Sequence, residues 1–189
     1  MKKKIVFMLI NMNIGGTEKA LLNMIEEIPE EEYEITILLL EKYGGFLEDI
    51  PTYVKVEYLG QYQAIKRLYN DPPKISIINF IRERSLKWIP FSFNYALSKL
   101  MKRKSIFLRY LLKDIPKLKS EYDIAVAYAG PMDLISYFVI HKMKAKKKVQ
   151  WIHFDVTKIG FDLKFASTIY KKFDRICVVS EEGNPSSLT

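Results

Sequence analysis

The sequence predicts a doubly wound α/β lobe of the Rossmann-like type, built on a mostly parallel sheet. Three observations carry that prediction: apolar runs without alternation, helix-period segments between them, and polar stretches, often with glycine, where each run ends. Continuous apolar runs belong to strands covered on both faces, and a parallel crossover usually needs a helix, so their alternation favours a parallel sheet.

In chain order, Lys4 to Ile10 is a continuous apolar strand. Its start, "MKKKIVFMLINMN", has the basic head of a secretory signal, but the apolar run ends at Asn11 without a small-residue cleavage site, so it reads as a buried strand. Thr17 to Ile28 is helical by the spacing of Ala20, Leu21, Met24, Ile25 and Ile28, and Pro29 closes it. "YEITILLL", Tyr33 to Leu40, is a second buried strand and "VKVEYL", Val54 to Leu59, a third. "DPPK", Asp71 to Lys74, is a break before a new helix. Three more strands follow at Tyr122 to Tyr128, Lys148 to His153 and Arg175 to Ser180, separated by helical stretches at Met132 to Lys142 and roughly Phe161 to Phe173. In such sheets the ligand crevice lies beyond the carboxyl ends of the strands. Here those ends are followed by "NMNIGGTE", "EKYGG", "AGPMD", "HFDVTK" and "SEEGN".

Composition narrows the function classes. A chain of 189 residues, 49% of them hydrophobic, can bury one sizeable core and is read as one domain, residues 1–182, with 183–189 as a frayed tail. Lys and Arg outnumber Asp and Glu by 30 to 22, a net charge of +8 that favours an anionic partner: nucleotide, nucleic acid or lipid headgroup. The single cysteine, Cys177, lies in the apolar run "RICVVS" and has no internal partner, which favours a reducing, cytoplasmic setting over a disulfide scaffold. No stretch approaches the roughly 18 apolar residues that span a bilayer, so any membrane association would be at the surface.

The glycine pair Gly15 and Gly16 stands where the first strand hands over to a helix. Without Cβ atoms there, a ligand can approach the unpaired amides of the helix start, where the helix dipole favours an anion such as phosphate. A tight turn that merely needs glycine is the competing reading, and Glu18 favours it, since a first-turn carboxylate already complements the dipole. A Walker-type loop is excluded because no Gly-Lys-Ser/Thr follows Gly16. A dinucleotide fingerprint would need glycines where "NMNIGG" has asparagines, although Glu41 ends the second strand as a ribose-binding acid would. That keeps a nicotinamide enzyme as an alternative.

Of the two histidines, His141 falls in the lysine-rich helix end "IHKMKAKKK" and is expected at the solvated surface. His153 closes a buried strand, as a hydrogen-bonded structural residue or as a site residue. One histidine in the crevice without a nearby cysteine gives zinc too few ligands, and no G-x-S-x-G elbow supplies a serine nucleophile.

The segments "KKIVFMLINMNIGGTEKALLNMI", "YEITILLL", "KKKVQWIHFDVTK" and "FDRICVVSE", in this order, resemble the N-terminal lobe of GT-B glycosyltransferases of family 4. These retaining enzymes build bacterial capsule, lipopolysaccharide and related glycans. The likeness covers Met1 to about Glu182, except the middle from about Tyr62 to Ser120. It implies transfer of a sugar from a nucleotide sugar to a glycan or lipid-linked acceptor, without a metal or other cofactor, in a cleft between two lobes. It places Gly15 and Gly16 near the donor diphosphate, His153 at the donor sugar and reacting centre, and Asp155 beside it with a more variable role. The family's second lobe, with its paired glutamates, is not in these residues. The expectation is therefore one acceptor-side half of a transferase, inactive alone, either cytoplasmic or peripheral on the inner face of the membrane.

In the middle segment Leu97, Leu100, Met101, Leu108, Leu111, Leu112 and Ile115 follow helical spacing, leaving Lys99, Lys102, Arg103, Arg109 and Lys113 largely on other faces. With Trp88, Phe91, Phe93 and Tyr95 upstream, this is either a surface for anionic headgroups or an ordinary helix with a core stripe and solvated charges. Nucleic acid ranks below both, because no helix-turn-helix, zinc-finger or RNP pattern accompanies the basic residues. The alternative to a transferase half is a non-catalytic α/β module that binds an anionic ligand or a membrane, ahead of the nicotinamide enzyme.

Overall fold

The computed structural model describes residues 1–153 and 162–179. They fall into two compact units, one formed by residues 1–59, 117–153 and 162–179, the other by residues 60–116.

The first unit is a Rossmann-like α/β fold around a six-stranded sheet. Its strands are β1 (Lys3–Leu9), β2 (Tyr33–Leu39), β3 (Lys55–Tyr58), β4 (Glu121–Ala129), β5 (Lys144–Ile152) and β6 (Arg175–Val178). They lie in the order β3-β2-β1-β4-β5-β6, with every neighbouring pair parallel. The order reverses direction between β1 and β4, the switch point at which α/β sheets open a crevice. β1 explains its own position at the centre. Ile5, Phe7 and Leu9 point to one face and Val6 and Met8 to the other, and all five are buried, so only an inner strand can hold this run.

Helix α1 (Gly16–Glu26) covers the face of Ile5, Phe7 and Leu9 with Leu21, Leu22 and Ile25. Each such side chain contributes about 1.5–3 kcal/mol on burial, so a charge at Leu22 would break the contact. Helix α6 (Met132–Lys142) packs on β4. Its buried Ser136 donates a 2.6 Å hydrogen bond to Gln150 Oε1 of β5, while Gln150 Nε2 donates to the carbonyls of Ala127 and Trp151. Among the described residues a short helix α7 (Leu163–Ile169), capped by Asp162 Oδ1 accepting from Phe165 N–H, continues as a 3-10 turn to Lys172 and leads into β6.

The second unit is helical: α2 (Tyr62–Asn70), α3 (Pro73–Arg82), α4 (Trp88–Leu100) and α5 (Lys104–Leu111). Pro73 sits at the first helical position of α3, where its missing N–H costs nothing, as "DPPK" predicts. Phe91, fully buried, is the centre of an aromatic cluster with Phe80, Phe107 and Tyr110 at 5.7, 5.5 and 6.3 Å between ring centroids.

Two expectations need correction. The stripe from Leu97 to Ile115 is not one helix: Lys102 adopts a left-handed φ of 51° between α4 and α5, and Leu100 and Met101 are 83% and 45% exposed. Only its later part, Leu108, Leu111, Leu112 and Ile115, is core. The lysine-rich segment after His141 is strand, not helix end, because β5 begins at Lys144. Its lysines meet acids of β4, Lys144 with Glu121 and Lys146 with Asp123, while Lys147 meets Asp174 just before β6. Lys148 Nζ instead caps α6, donating to the carbonyls of Ile140 and Met143.

Candidate functional site

Three strand ends converge at the switch point. After β1 the chain turns through Asn11, whose Oδ1 accepts from Asn13 N–H, and enters α1 at Gly16. Gly15 is the N-cap residue, extended at φ −162°, and no side chain caps the helix start from that position. The first-turn amides have no intrahelical acceptor by helix geometry. Gly15 and Gly16 are not sterically required here. A Cβ at Gly16 would meet nothing within 4 Å, and one at Gly15 would meet only the end of the Glu18 side chain. Glu18 therefore folds its carboxylate over Gly15, so an anion taking the helix start must displace it.

The glycines that the backbone does require lie in the neighbouring loops. Gly44, φ +130°, lets the loop after β2 close on Met12, which hydrogen-bonds Tyr43 and Phe46 through its N–H and carbonyl. Gly130, φ +123°, follows β4, and a Cβ there would lie 2.8 Å from Ile10 Cβ. Both fall in stretches singled out as strand ends, "EKYGG" and "AGPMD", to which the sequence alone assigned no role.

Tyr128, near the end of β4, joins the glycine turn to His153. The β1–β4 register steps from Met8↔Ala127 to Leu9↔Ala129, so Tyr128 is the extra residue of a bulge, a device that re-aims a side chain. Its hydroxyl donates to the Thr17 carbonyl in the first turn of α1 at 3.2 Å. Its ring meets His153 edge-on at 4.4 Å between centroids. Burial, with the Glu18 charge adding to it, pushes the Tyr128 hydroxyl up to about 12. Trp151 and His153, two residues apart along the strand direction, lie on one face and stack nearly parallel, 9° apart. His153 Nε2 and Trp151 Nε1 are buried, and neither has a hydrogen-bond partner among the described residues. Burial lowers the His153 pKa, so the imidazole is neutral at physiological pH, with one ring nitrogen a donor and the other an acceptor.

No protein-family model matches the chain, and no curated protein matches it. The site therefore rests on its own geometry. That geometry brings together Gly15, Gly16 and His153 from the predicted set, adds Tyr128 and Trp151, and leaves Asp155 outside the described residues. Glu41, the ribose-acid candidate, follows β2, where its N–H donates to the Ile10 carbonyl at 2.8 Å. His141 is not a freely solvated residue as expected: it is partly buried against the Tyr137 ring, and burial followed by the charges of Lys172, Lys148, Lys117 and Lys142 lowers its pKa. Among the described residues no group of three His, Cys, Asp or Glu side chains is arranged to hold a metal ion.

Two hollows lie elsewhere. One, of about 450 Å³, opens at the amino ends of β1, β4 and β5, where Lys144–Glu121 and Lys146–Asp123 pairs neutralise its rim. The other, of about 460 Å³, lies within the helical unit between α2, α3 and α5 and has the buried Ser76 in its wall. The basic candidates belong to that unit too. Lys99 lies over the Tyr95 ring and Lys113 over the Tyr110 ring, while Lys102, Arg103 and Arg109 are exposed. No helix among the described residues is long and apolar enough to cross a membrane.

Proposed function

We propose that the sheet unit is the acceptor-side half of a nucleotide-sugar-dependent glycosyltransferase, the reading that the likeness to family 4 GT-B enzymes also favours. The observation that carries it is the meeting of a glycine turn covered only by the Glu18 side chain, Tyr128, and a neutral imidazole whose buried Nε2 has no hydrogen-bond partner among the described residues, at the switch point of a parallel sheet. A diphosphate suits the amides at the start of α1 once Glu18 swings aside, because helix N-termini bind anions. The His153 imidazole, uncharged, then offers a hydrogen bond to a sugar hydroxyl, and the Trp151 indole gives a flat apolar wall with one N–H donor. Transfer needs groups from a second lobe, so these 189 residues alone are expected to turn nothing over.

The test is a screen of the complete reading frame's product against a panel of nucleotide sugars. Sugar transfer is expected, and His153→Ala should lower kcat/KM by about 100-fold or more. Turnover by the 189-residue chain alone, or transfer indifferent to His153, would overturn the assignment.

A nicotinamide-binding domain is the second reading, favoured by Glu41 after β2 and by a strand order that dinucleotide folds share. Quenching of NADH fluorescence by the chain, lost in Glu41→Ala, would decide for it.

A further inference from the structure

The net positive charge of the chain comes from its helical unit. Residues 60–116 hold 12 Lys and Arg against 3 Asp and Glu, a net +9, whereas the remaining residues hold 18 against 19, a net −1. The same unit exposes large apolar side chains in an ordered way. On α4, Ile89, Phe93 and Leu100 are 49%, 64% and 83% exposed, and with exposed Ala96 they form one helical face at i, i+4, i+7 and i+11. The core of the unit is made by other positions of α4, with Phe91 and Ser98 buried and the Tyr95 ring against Phe107. α4 therefore has a second apolar face that its own unit does not cover.

Cations bracket that face. Arg82, Arg84 and Lys87 precede it, Lys99 lies in its last turn, Lys102 and Arg103 follow it, and all six are exposed. Arg84 and Lys102 hold left-handed backbone, φ 52° and 51°, where glycine is usual.

We infer that α4 lies flat in the interface of an anionic bilayer, with Ile89, Phe93 and Leu100 toward the acyl chains and the bracketing cations among the lipid phosphates. Such a surface satisfies both halves of the pattern at once, removing the stripe from water while the cations stay wet beside negative charge. Nucleic acid would meet the cations and leave the stripe in water. A second copy would cover the stripe and bring two +9 surfaces together. At 13 residues α4 is about 20 Å long, which suits lying in an interface and not crossing one. This inference does not rest on glycosyl transfer.

Co-sedimentation of the 189-residue chain with vesicles of phosphatidylcholine alone, and of phosphatidylcholine mixed with phosphatidylglycerol, tests it. Binding to the mixed vesicles is expected to be about tenfold tighter or more, to weaken with salt, and to drop about tenfold in a Phe93→Ser, Leu100→Ser variant. Lys102→Glu with Arg103→Glu should weaken it comparably. Trp88, at the start of α4, should shift its emission to the blue on mixed vesicles, an effect removed by Trp88→Phe and kept in Trp151→Phe. That fluorescence readout decides the matter if the double serine variant fails to fold. Equal binding to both vesicles, no binding, tighter binding to an oligonucleotide than to mixed vesicles, or a dimer dispersed by the serine pair would each overturn the inference.

Discussion

His153 and His141 share an electrostatic sign. Burial holds both imidazoles below the usual 6.5, with neighbouring lysines adding to the effect at His141. A folded-state pKa below the unfolded one means that the unfolded chain binds protons first as pH falls. The corresponding stability is complete above the unfolded value and drains as pH drops through 6.5 toward the folded values. The melting temperature should thus fall on going from about pH 7 to about pH 5, and His153→Gln should flatten part of that slope. An imidazole proton NMR titration of His153 with its midpoint at or above 6.5 would contradict this. The glycines separate just as sharply. Gly130→Ala forces a Cβ against Ile10 and Ile135 in left-handed backbone and should cost about 2 kcal/mol or more, read as a lower melting temperature. Gly16→Ala meets open space at a helix start and should leave stability unchanged or raise it by up to about 1 kcal/mol. A glycine that stability does not require, at an uncapped helix start, is what access by a ligand would leave behind.

At the scale of elements, α3 and α4 end alike. In α3, Ser85 N–H bonds Phe80 O and Arg84 N–H bonds Ile81 O; in α4, Arg103 N–H bonds Ser98 O and Lys102 N–H bonds Lys99 O. These are Schellman ends with a cation where glycine is usual. Left-handed backbone costs a non-glycine residue about 1–2 kcal/mol, while glycine's extra unfolded freedom returns about 0.5–1 kcal/mol of that. Lys102→Gly should therefore stabilise the fold by about 0.5–1 kcal/mol in chemical denaturation, and weaken vesicle binding as it does so. The same ends explain why the α4–α5 boundary was illegible in the sequence: "LSKLMKRKS" contains no glycine or proline to mark a stop, so the periodic pattern ran through it. β5 was misjudged at its start for a related reason. Lys144 to Lys148 lacks apolar alternation, and its strand state depends on acids supplied by β4 and by Asp174, partners that only the folded sheet reveals. The bulge that aims Tyr128 is likewise a property of strand pairing, which left the residue in plain view within "YDIAVAY" and without a role.

For the molecule as a whole, the sheet unit was legible because β1, β2 and β4 carry their burial in their own residues. Val6, Met8, Ile37 and Leu38 can only be placed inside, and the order of strands and helices then leaves few parallel arrangements. The helical unit was read as part of the same lobe because its helices look like ordinary crossover helices one at a time, and compactness is a property of the set. One core cluster of the sheet unit, on the α1 face, draws on β1, β2, β4, α1 and the loops between them. Replacing residues 60–116 by a flexible crossover of about 15 residues, enough to return from β3 to β4, should leave a sheet unit that still melts cooperatively. The excised chain keeps a net charge of −1 apart from the new linker, so it should also lose its preference for anionic vesicles. Circular dichroism melts paired with co-sedimentation separate the two expectations. Loss of the cooperative transition would mean that the sheet depends on the helices for its stability, and retained vesicle binding would move the docking surface off α4.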